Sequence, residues 1–224
     1  MILCLDEVVS PAELRDAQAA LVKLPFADGK SSAGWHASGV KANEQADAKN
    51  PGVQKLVQRL ADRIASHPIF AAASLPAAFG PVMINRYRTG ARYGRHVDDA
   101  LMRAGTMRRS DLSFTLFLSD PESYDGGALL MHTAAGDETY RLPAGSMLLY
   151  PSTSLHSVEE VTRGERLAAV GWVQSLVRDP GQREILFDLD RARRAVFDKD
   201  GHSEPFELLA KSYANLLRSW AEPI

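Results

Sequence analysis

The residues of this chain best suited to chemistry are a histidine and an aspartate two positions apart, His96-Val97-Asp98. On a β-strand, residues i and i+2 project from one face, so imidazole and carboxylate point together while Val97 points away. Asp99 has the opposite parity, which makes Asp98 the better donor. A third donor must come from another strand. Of the six histidines, His156 is the candidate, the others being His36, His67, His132 and His202. Two imidazoles and one carboxylate on one face, with the opposite positions open, suit Fe(II). Taken alone, His-x-Asp also describes an ordinary surface dipeptide. What adds weight is Arg166, ten residues after His156 and just past a turn at 162–165 that folds the chain back. Arg166, Ala168, Val170 and Trp172 share one strand face. A buried guanidinium there has no acid on its own strand and would take a carboxylate-bearing ligand through paired hydrogen bonds. Tyr87, on one face with Met83 and Asn85, could donate its hydroxyl to the same ligand, with Tyr93 as the alternative.

The elements that must position these side chains are short. Alternating apolar runs recur at 81–88, 94–98, 112–118, 127–132, 138–142, 146–150, 156–161 and 166–174. Turn signals such as Asp125-Gly126-Gly127 and Arg163-Gly164-Glu165 separate them. Eight short strands with no long helix between them predict a mainly β fold, a jelly roll over about 79–175. The capping box Ser10-Pro11-Ala12-Glu13 predicts a helix over 10–24, and Asn50-Pro51 starts a second over 50–66. Both would brace the β core. Residues 27–49 read as a long loop carrying Trp35, His36, Asn43 and Gln45. With 99–110 it could form a lid over the barrel mouth. Arg103, Arg108 and Arg109 near that mouth would either attract an acidic substrate or form a solvated face. The chain divides into a β unit at 1–176 and a helical appendage at 177–224. Ile185, Leu189, Ala192 and Val196 mark one appended helix; Phe206, Leu209, Tyr213, Leu216 and Trp220 mark the other. These helices must pack on the barrel or on a second subunit, so a homo-oligomer is a candidate assembly.

Composition narrows the partners. Lys and Arg number 26 against 28 Asp and Glu, a net charge of −2, so the basic surplus of a general nucleic-acid binder is missing. No apolar run reaches the ~20 residues needed to span a bilayer, so no membrane partner is expected. Met1-Ile2-Leu3-Cys4-Leu5 meets Asp6 and Glu7 without a basic leader, which reads as a cytoplasmic protein rather than a secreted one. Cys4 is the one cysteine, expected as a small core residue. An iron site must therefore be built from histidine and carboxylate.

A family resemblance rests on longer stretches. Arg86-Tyr87-Arg88-Thr89-Gly90, Tyr93-Gly94-Arg95-His96-Val97-Asp98, Asp111-Leu112-Ser113 and Thr115-Leu116-Phe117-Leu118 resemble the 2-oxoglutarate-dependent dioxygenases of prolyl-hydroxylase type. Gly126-Gly127, Leu155-His156, Arg163-Gly164-Glu165-Arg166 and Trp172 continue the pattern. The runs from Leu149 to His156 and from Trp172 to Asp179 are narrower and resemble the bacterial PKHD-type hydroxylases, also described as iron-uptake factors. The resemblance implies a double-stranded β-helix with flanking helices, and Fe(II) on His96, Asp98 and His156. It implies 2-oxoglutarate with its far carboxylate on Arg166, O₂ as co-substrate, and ascorbate as reductant. The implied activity is hydroxylation of a protein or small-molecule substrate with decarboxylation of 2-oxoglutarate to succinate, linked to iron uptake or homeostasis. No catalytic group beyond the metal ligands is implied. Related prolyl hydroxylases place a second tyrosine where this chain has Phe117, so Tyr87 or Thr115 would have to supply that hydrogen bond. Trp35, Asn43, Gln45 and Trp172 are the candidates on the substrate side. Two other readings keep the barrel. One acts on a methylated base; the other is a non-catalytic cupin-like metal or ligand binder serving as an iron-responsive sensor, for which Arg166 would be superfluous.

Overall fold

A computed structural model describes residues 1–32, 34 and 38–222 of the chain. A short strand, β1 (Leu3–Leu5), precedes helix α1 (Pro11–Leu21). Ser10 accepts the Glu13 backbone N–H, and the Glu13 carboxylate in turn receives the Ser10 N–H, so the capping box forms as expected. Then come β2 (Phe26–Asp28), β3 (Lys41–Ala42), β4 (Glu44–Ala46), α2 (Pro51–Ser66) and α3 (Pro68–Ser74). The Asn50 side-chain carbonyl caps α2 by accepting from Gly52 and Val53.

The barrel strands are β5 (Pro76–Arg88), β6 (Arg92–His96), β7 (Leu101–Ala104), β8 (Thr106–Arg109) and β9 (Leu112–Phe117). They continue as β10 (Asp125–Gly126), β11 (Leu129–Thr133), β12 (Gly136–Tyr140), β13 (Met147–Pro151), β14 (His156–Val158), β15 (Val161–Arg163) and β16 (Glu165–Ser175). Helices α4 (Pro180–Asp200) and α5 (Glu204–Trp220) follow. Seven strands pair in the order β1-β13-β9-β16-β5-β4-β2, and five in the order β12-β11-β14-β6-β3. The expected jelly roll is present as a double-stranded β-helix whose two antiparallel sheets enclose a cavity.

Strand β9 shows how sequence alternation builds this. All six of its residues are buried, yet they divide by parity. Leu112, Phe114 and Leu116 join the core beneath the helices, with Leu56, Leu60, Ile64 and Phe70. Ser113, Thr115 and Phe117 face the other way; the first two line the cavity, and Phe117 packs with Tyr87, Leu148 and Tyr150. Phe70, Phe79 and Phe114 fasten the helical layer to the sheet, with centroids 5.7–6.4 Å apart.

Several expectations are corrected. The segment 27–49 is not one long loop: β2 and β4 extend the larger sheet beyond β5, and β3 pairs with β6 at the edge of the smaller one. Backbone ladder bonds there outweigh the poor β propensity of a Gly-, Ala- and Ser-rich stretch. Within 99–110, named in the sequence only as part of a candidate lid, residues 101–109 fold as the β7–β8 hairpin. Arg109 is not a free cation at the mouth. Its guanidinium bonds Asp111 at 2.7 Å and Glu222 at 2.8 Å, tying the C-terminal segment to the barrel. Cys4 is exposed, because β1 lies at the sheet edge and buries Leu5 instead. The first helix ends at Leu21, and α3 was hidden by its short length. In α4 the buried face is Arg183, Leu186, Phe187 and Asp190, while Ile185 is exposed. Polar side chains occupy half of that face: Arg183 bonds the Val177 and Arg178 carbonyls, and Asp190 holds Arg193 and Arg194. Hydrophobic periodicity alone therefore pointed to the wrong stripe. The stripe expected on α5 is the one used. Tyr213, Leu216 and Trp220 pack against buried Leu75, Val177 and Leu186.

Candidate active site

Strand pairing sets His96 directly opposite His156, the last residue of β6 against the first of β14. Their rings are 4.2 Å apart, and both side chains are buried. Asp98 is not on the strand, as the parity reading supposed, but two residues past its end. What aims it inward is Ser113 on β9, whose hydroxyl donates to the Asp98 carboxylate at 2.6 Å and also meets Ser152. Val97 between them turns outward and is exposed. Asp98 Oδ1 lies 4.0 Å from His96 Nε2 and 3.9 Å from His156 Nε2. All three donors fall within 4.8 Å of one another.

The backbone decides which imidazole nitrogens face Asp98. His96 Nδ1 lies 2.8 Å from the Gly94 carbonyl, and His156 Nδ1 lies 3.0 Å from the Ser154 carbonyl. A carbonyl only accepts, so each Nδ1 carries the proton and each Nε2 presents its lone pair. Two donors each about 2.1 Å from one ion lie at most about 4.2 Å apart, and both histidine–carboxylate distances meet that limit. The N₂O set, with no thiolate nearby, fits Fe(II).

Around this cluster is a cavity of ≈ 230 Å³. Arg166, 1 % exposed, reaches it from β16. Its guanidinium lies 5.2 Å from the Tyr87 ring centroid and 5.3 Å from that of Phe117. Its Nε and Nη2 have no hydrogen-bond partner among the described residues. A buried unsatisfied guanidinium is costly, so the site is built for an anion with two coplanar oxygens. Gly127 makes room for it: φ is +62°, and a Cβ there would lie 2.8 Å from Val161 and 3.2 Å from Arg166 Cδ. The donor set and the orphaned guanidinium together fit a metal-chelating dicarboxylate.

Comparison with known proteins agrees. Residues 82–174 match the model of the 2OG-Fe(II) oxygenase superfamily, and 180–222 that of the PKHD-type hydroxylase C-terminal domain. A PKHD-type hydroxylase of Synechococcus elongatus is 49 % identical over 99 % of this chain and 100 % of its own length. One from Acaryochloris marina is 50 % identical with the same coverage. This chain belongs to the PKHD-type hydroxylases. Solved structures bear out the fold. HygX from Streptomyces hygroscopicus, with nickel and 2-oxoglutarate bound, has a TM-score of 0.55 at 15 % identity, covering 79 % of this chain and 84 % of its own. A viral collagen prolyl hydroxylase from Paramecium bursaria Chlorella virus 1 has a TM-score of 0.50 at 18 % identity, covering 78 % and 95 %.

As a PKHD-type hydroxylase the protein is an enzyme, and its superfamily implies Fe(II), 2-oxoglutarate and O₂ as reagents. Its remaining site groups are placed unevenly. Tyr87, Thr115 and Trp172 line the cavity with Arg166. Asn43 is buried against the Tyr87 hydroxyl, on the side away from the cavity lining. Gln45 also sits behind the wall, donating to the Asn85 carbonyl oxygen at 2.8 Å. Trp35 and His36 lie outside the described residues. His132 is not among the cavity-lining residues: it bonds Asp137 of β12 and Ser157 of β14.

Three groups of this PKHD-type hydroxylase escaped the sequence reading. Ser113 was quoted only as part of a motif, although alternating Ser113 and Thr115 in an apolar strand is itself a sign of a polar cavity face. Tyr150, sharing parity with Leu148, is buried with its ring 5.2 Å from His156, and its hydroxyl meets Thr115. Burial, and then the negative charge of Asp98, push its phenol well above the usual range, so it is a neutral hydrogen-bonding group. Lys41 lines the cavity with its ammonium 5.1 Å from the Tyr93 ring centroid, and Tyr93 in turn stacks on His96 at 3.6 Å. Burial holds Lys41 down to about 8 against the pull of Asp98 and Asp28.

Two expected results follow from this geometry. Ser113→Ala frees the Asp98 carboxylate and weakens Fe(II) binding about 10–100-fold, measured by metal titration, while the fold is retained. Burial, followed by His156, holds the His96 imidazole down to about 4. The unfolded chain therefore binds protons more tightly than the folded one. Stability of the metal-free protein is complete above about pH 6.5 and falls as pH drops towards 4, by up to about 1.4 kcal/mol per unit. Denaturation midpoints at pH 7, 6 and 5 measure this slope, and His96→Gln reduces it.

Proposed function

We propose that the chain hydroxylates a protein or small-molecule substrate while decarboxylating 2-oxoglutarate to succinate. His96, Asp98 and His156 hold the Fe(II), and Arg166 takes the far carboxylate of 2-oxoglutarate. The observation that carries this reading is Arg166, a fully buried cation whose Nε and Nη2 have no hydrogen-bond partner among the described residues, in the cavity that holds the two histidines and the aspartate. A barrel that bound metal alone would have no use for it. HygX, of like fold, holds nickel and 2-oxoglutarate, which supports the same pair of ligands here.

Fe(II), when bound, supplies the O₂ activation and C–H oxidation that side chains cannot perform. Everything else belongs to the chain. The Gly94 and Ser154 carbonyls keep both Nε2 lone pairs turned inward, and Ser113 keeps the Asp98 carboxylate aimed. Arg166 orients the co-substrate through paired N–H donors between the Tyr87 and Phe117 rings, which exclude water from it. Phe117 has no hydroxyl to give, and the linked Thr115 and Tyr150 hydroxyls supply polar contact instead. The reading extends to ascorbate as reductant, a cytoplasmic setting, and a role in iron homeostasis. Residues 1–176 would be the dioxygenase unit and 177–224 its appendage. Among the described residues no helix is long and apolar enough to cross a membrane.

Anaerobic addition of Fe(II) and then 2-oxoglutarate tests the proposal. A visible absorption band that appears only with both, and is lost in His96→Ala, is expected. No band in protein shown by titration to hold iron overturns it.

A further inference from the structure

The cavity carries more positive charge than its metal and co-substrate account for. Fe(II) and Arg166 bring three positive charges, and Asp98 and the two carboxylates of 2-oxoglutarate bring three negative ones. Both imidazoles are neutral, so this set closes at zero. Of the other charged side chains lining the cavity among the described residues, Lys41 and Arg103 are basic and Asp99 is the single acid. Arg103 and Asp99 are exposed, so water screens them. Lys41 is 4 % exposed, so its charge acts through a lower dielectric and counts for more.

Backbone pairing puts that ammonium beside the ring that packs on His96. Strand β3 pairs with the edge of β6 and sets Lys41 opposite Tyr93. Gly94 permits the approach, since a Cβ there would lie 2.7 Å from Val40 Cβ. Lys41 Nζ lies 5.1 Å from the Tyr93 ring centroid, and that ring stacks on His96 at 3.6 Å. Two acids act on the ammonium, Asp98 first and then Asp28. Asp28 is exposed, and its carboxylate already accepts the Lys30 N–H at 2.9 Å. A metal on Asp98 engages the stronger of these acids and sets a second positive charge near the lysine. The co-substrate does not offset it, because one of its carboxylates is directed to Arg166 and the other to the metal. The excess falls to the molecule that enters last.

We infer that Lys41 is a specificity-determining residue, selecting for hydroxylation a molecule that carries an anionic group, carboxylate or phosphate. The inference deepens the proposed function and rests on its metal and co-substrate sites. An ammonium offers three N–H donors and no acceptor, and acts on an anion as a point charge. A neutral analogue of the same shape leaves the positive excess in place, and a cationic one adds repulsion. Selection therefore works as much by rejecting the wrong charge as by holding the right one. Arg103 adds charge of the same sign from β7 and steers such a molecule towards the cavity.

The test uses full-length protein loaded with Zn(II) and 2-oxoglutarate. Its readout is the Lys41 side-chain NMR signal, identified by its loss in Lys41→Met. Four small probes are titrated: N-acetylglycine as a carboxylate, methyl phosphate as a phosphate, N-acetylglycinamide as a neutral counterpart, and methylammonium as a cation. The expected result is a saturable shift with at least one anion, bound about 10- to 150-fold tighter than the neutral probe, the range for a hydrogen bond to a charged group. Which anion binds more tightly tells a carboxylate ligand from a phosphate. Calorimetry then compares the preferred anion with the neutral probe in two variants: Lys41→Met removes the preference and Lys41→Arg keeps it. Equal affinity for anion and neutral probe in the wild type, or no shift with either anion, overturns the inference without any variant. So does a Lys41→Met protein that keeps the preference, or one that loses 2-oxoglutarate affinity to the same degree, which would assign the lysine to the co-substrate. If the wild type binds 2-oxoglutarate yet shows no preference for anions, the inference alone fails; if it does not bind 2-oxoglutarate, the co-substrate reading fails and the inference with it.

Discussion

Arg166→Gln is expected to bind 2-oxoglutarate about 30- to 5,000-fold more weakly than the parent enzyme. The range corresponds to the ~2–5 kcal/mol typical of truncating one partner of a buried, hydrogen-bonded charge pair. Calorimetric titration of the Zn(II)-loaded protein measures it. Arg166→Leu separates this loss from damage to the fold, because the two effects carry opposite signs. In the ligand-free enzyme the guanidinium is desolvated between two aromatic rings, and its Nε and Nη2 have no partner among the described residues. Replacing buried charge with apolar volume is commonly neutral or stabilising, by about 1–4 kcal/mol. The leucine variant should therefore melt at the same temperature as wild type or higher, while losing co-substrate affinity. A variant that both melts lower and keeps its affinity would show that Arg166 serves the fold instead.

Asp98→Ala is expected to abolish metal-dependent succinate formation. It removes the one anionic donor of the cluster, so the loss in metal affinity exceeds the about 10–100-fold contributed by outer partners such as Ser113. Equilibrium dialysis at Fe(II) concentrations that saturate the wild type should show no bound ion. The same substitution removes the acid that most supports the Lys41 ammonium, so Lys41 should titrate below its present value of about 8. Following the Lys41 side chain by NMR across pH 6–10 checks this. An unmoved lysine would show that Asp28, not Asp98, is its effective partner.

The two variants probe features that differed in how readable they were from sequence. Arg166 was readable because strand parity and a tight turn place it relative to His156 with little freedom. Its lack of an acid partner was evident from residue types alone. Asp98 lies with the two histidines, but by a geometry other than the strand parity that pointed to it: β6 stops at His96, and the carboxylate is aimed by a hydrogen bond from β9. Ser113 lies 15 residues further on, and no local pattern links the two. Tyr150 and Lys41 were missed for the same reason. Each reaches the cavity from a strand whose neighbours are fixed by long-range pairing, and Lys41 lies in a stretch with few local signs of strand at all. The short strands within 27–49 were not legible because polar segments take up strand structure where a sheet edge is available to pair with, and that edge belongs to the tertiary fold.

What the sequence determined by itself was whatever depends on short-range spacing and residue chemistry. The β class follows from period-two alternation, the helix starts from capping groups, and the histidine–carboxylate–arginine set from donor types two and ten residues apart. Tertiary structure decided what depends on pairing between distant strands. It brought His96 opposite His156, turned Ser113 onto Asp98, and placed Trp172 opposite the irregularity in β5. The physical reason is that register is set by summing many weak cross-strand contacts over the whole barrel, so no local window contains the information.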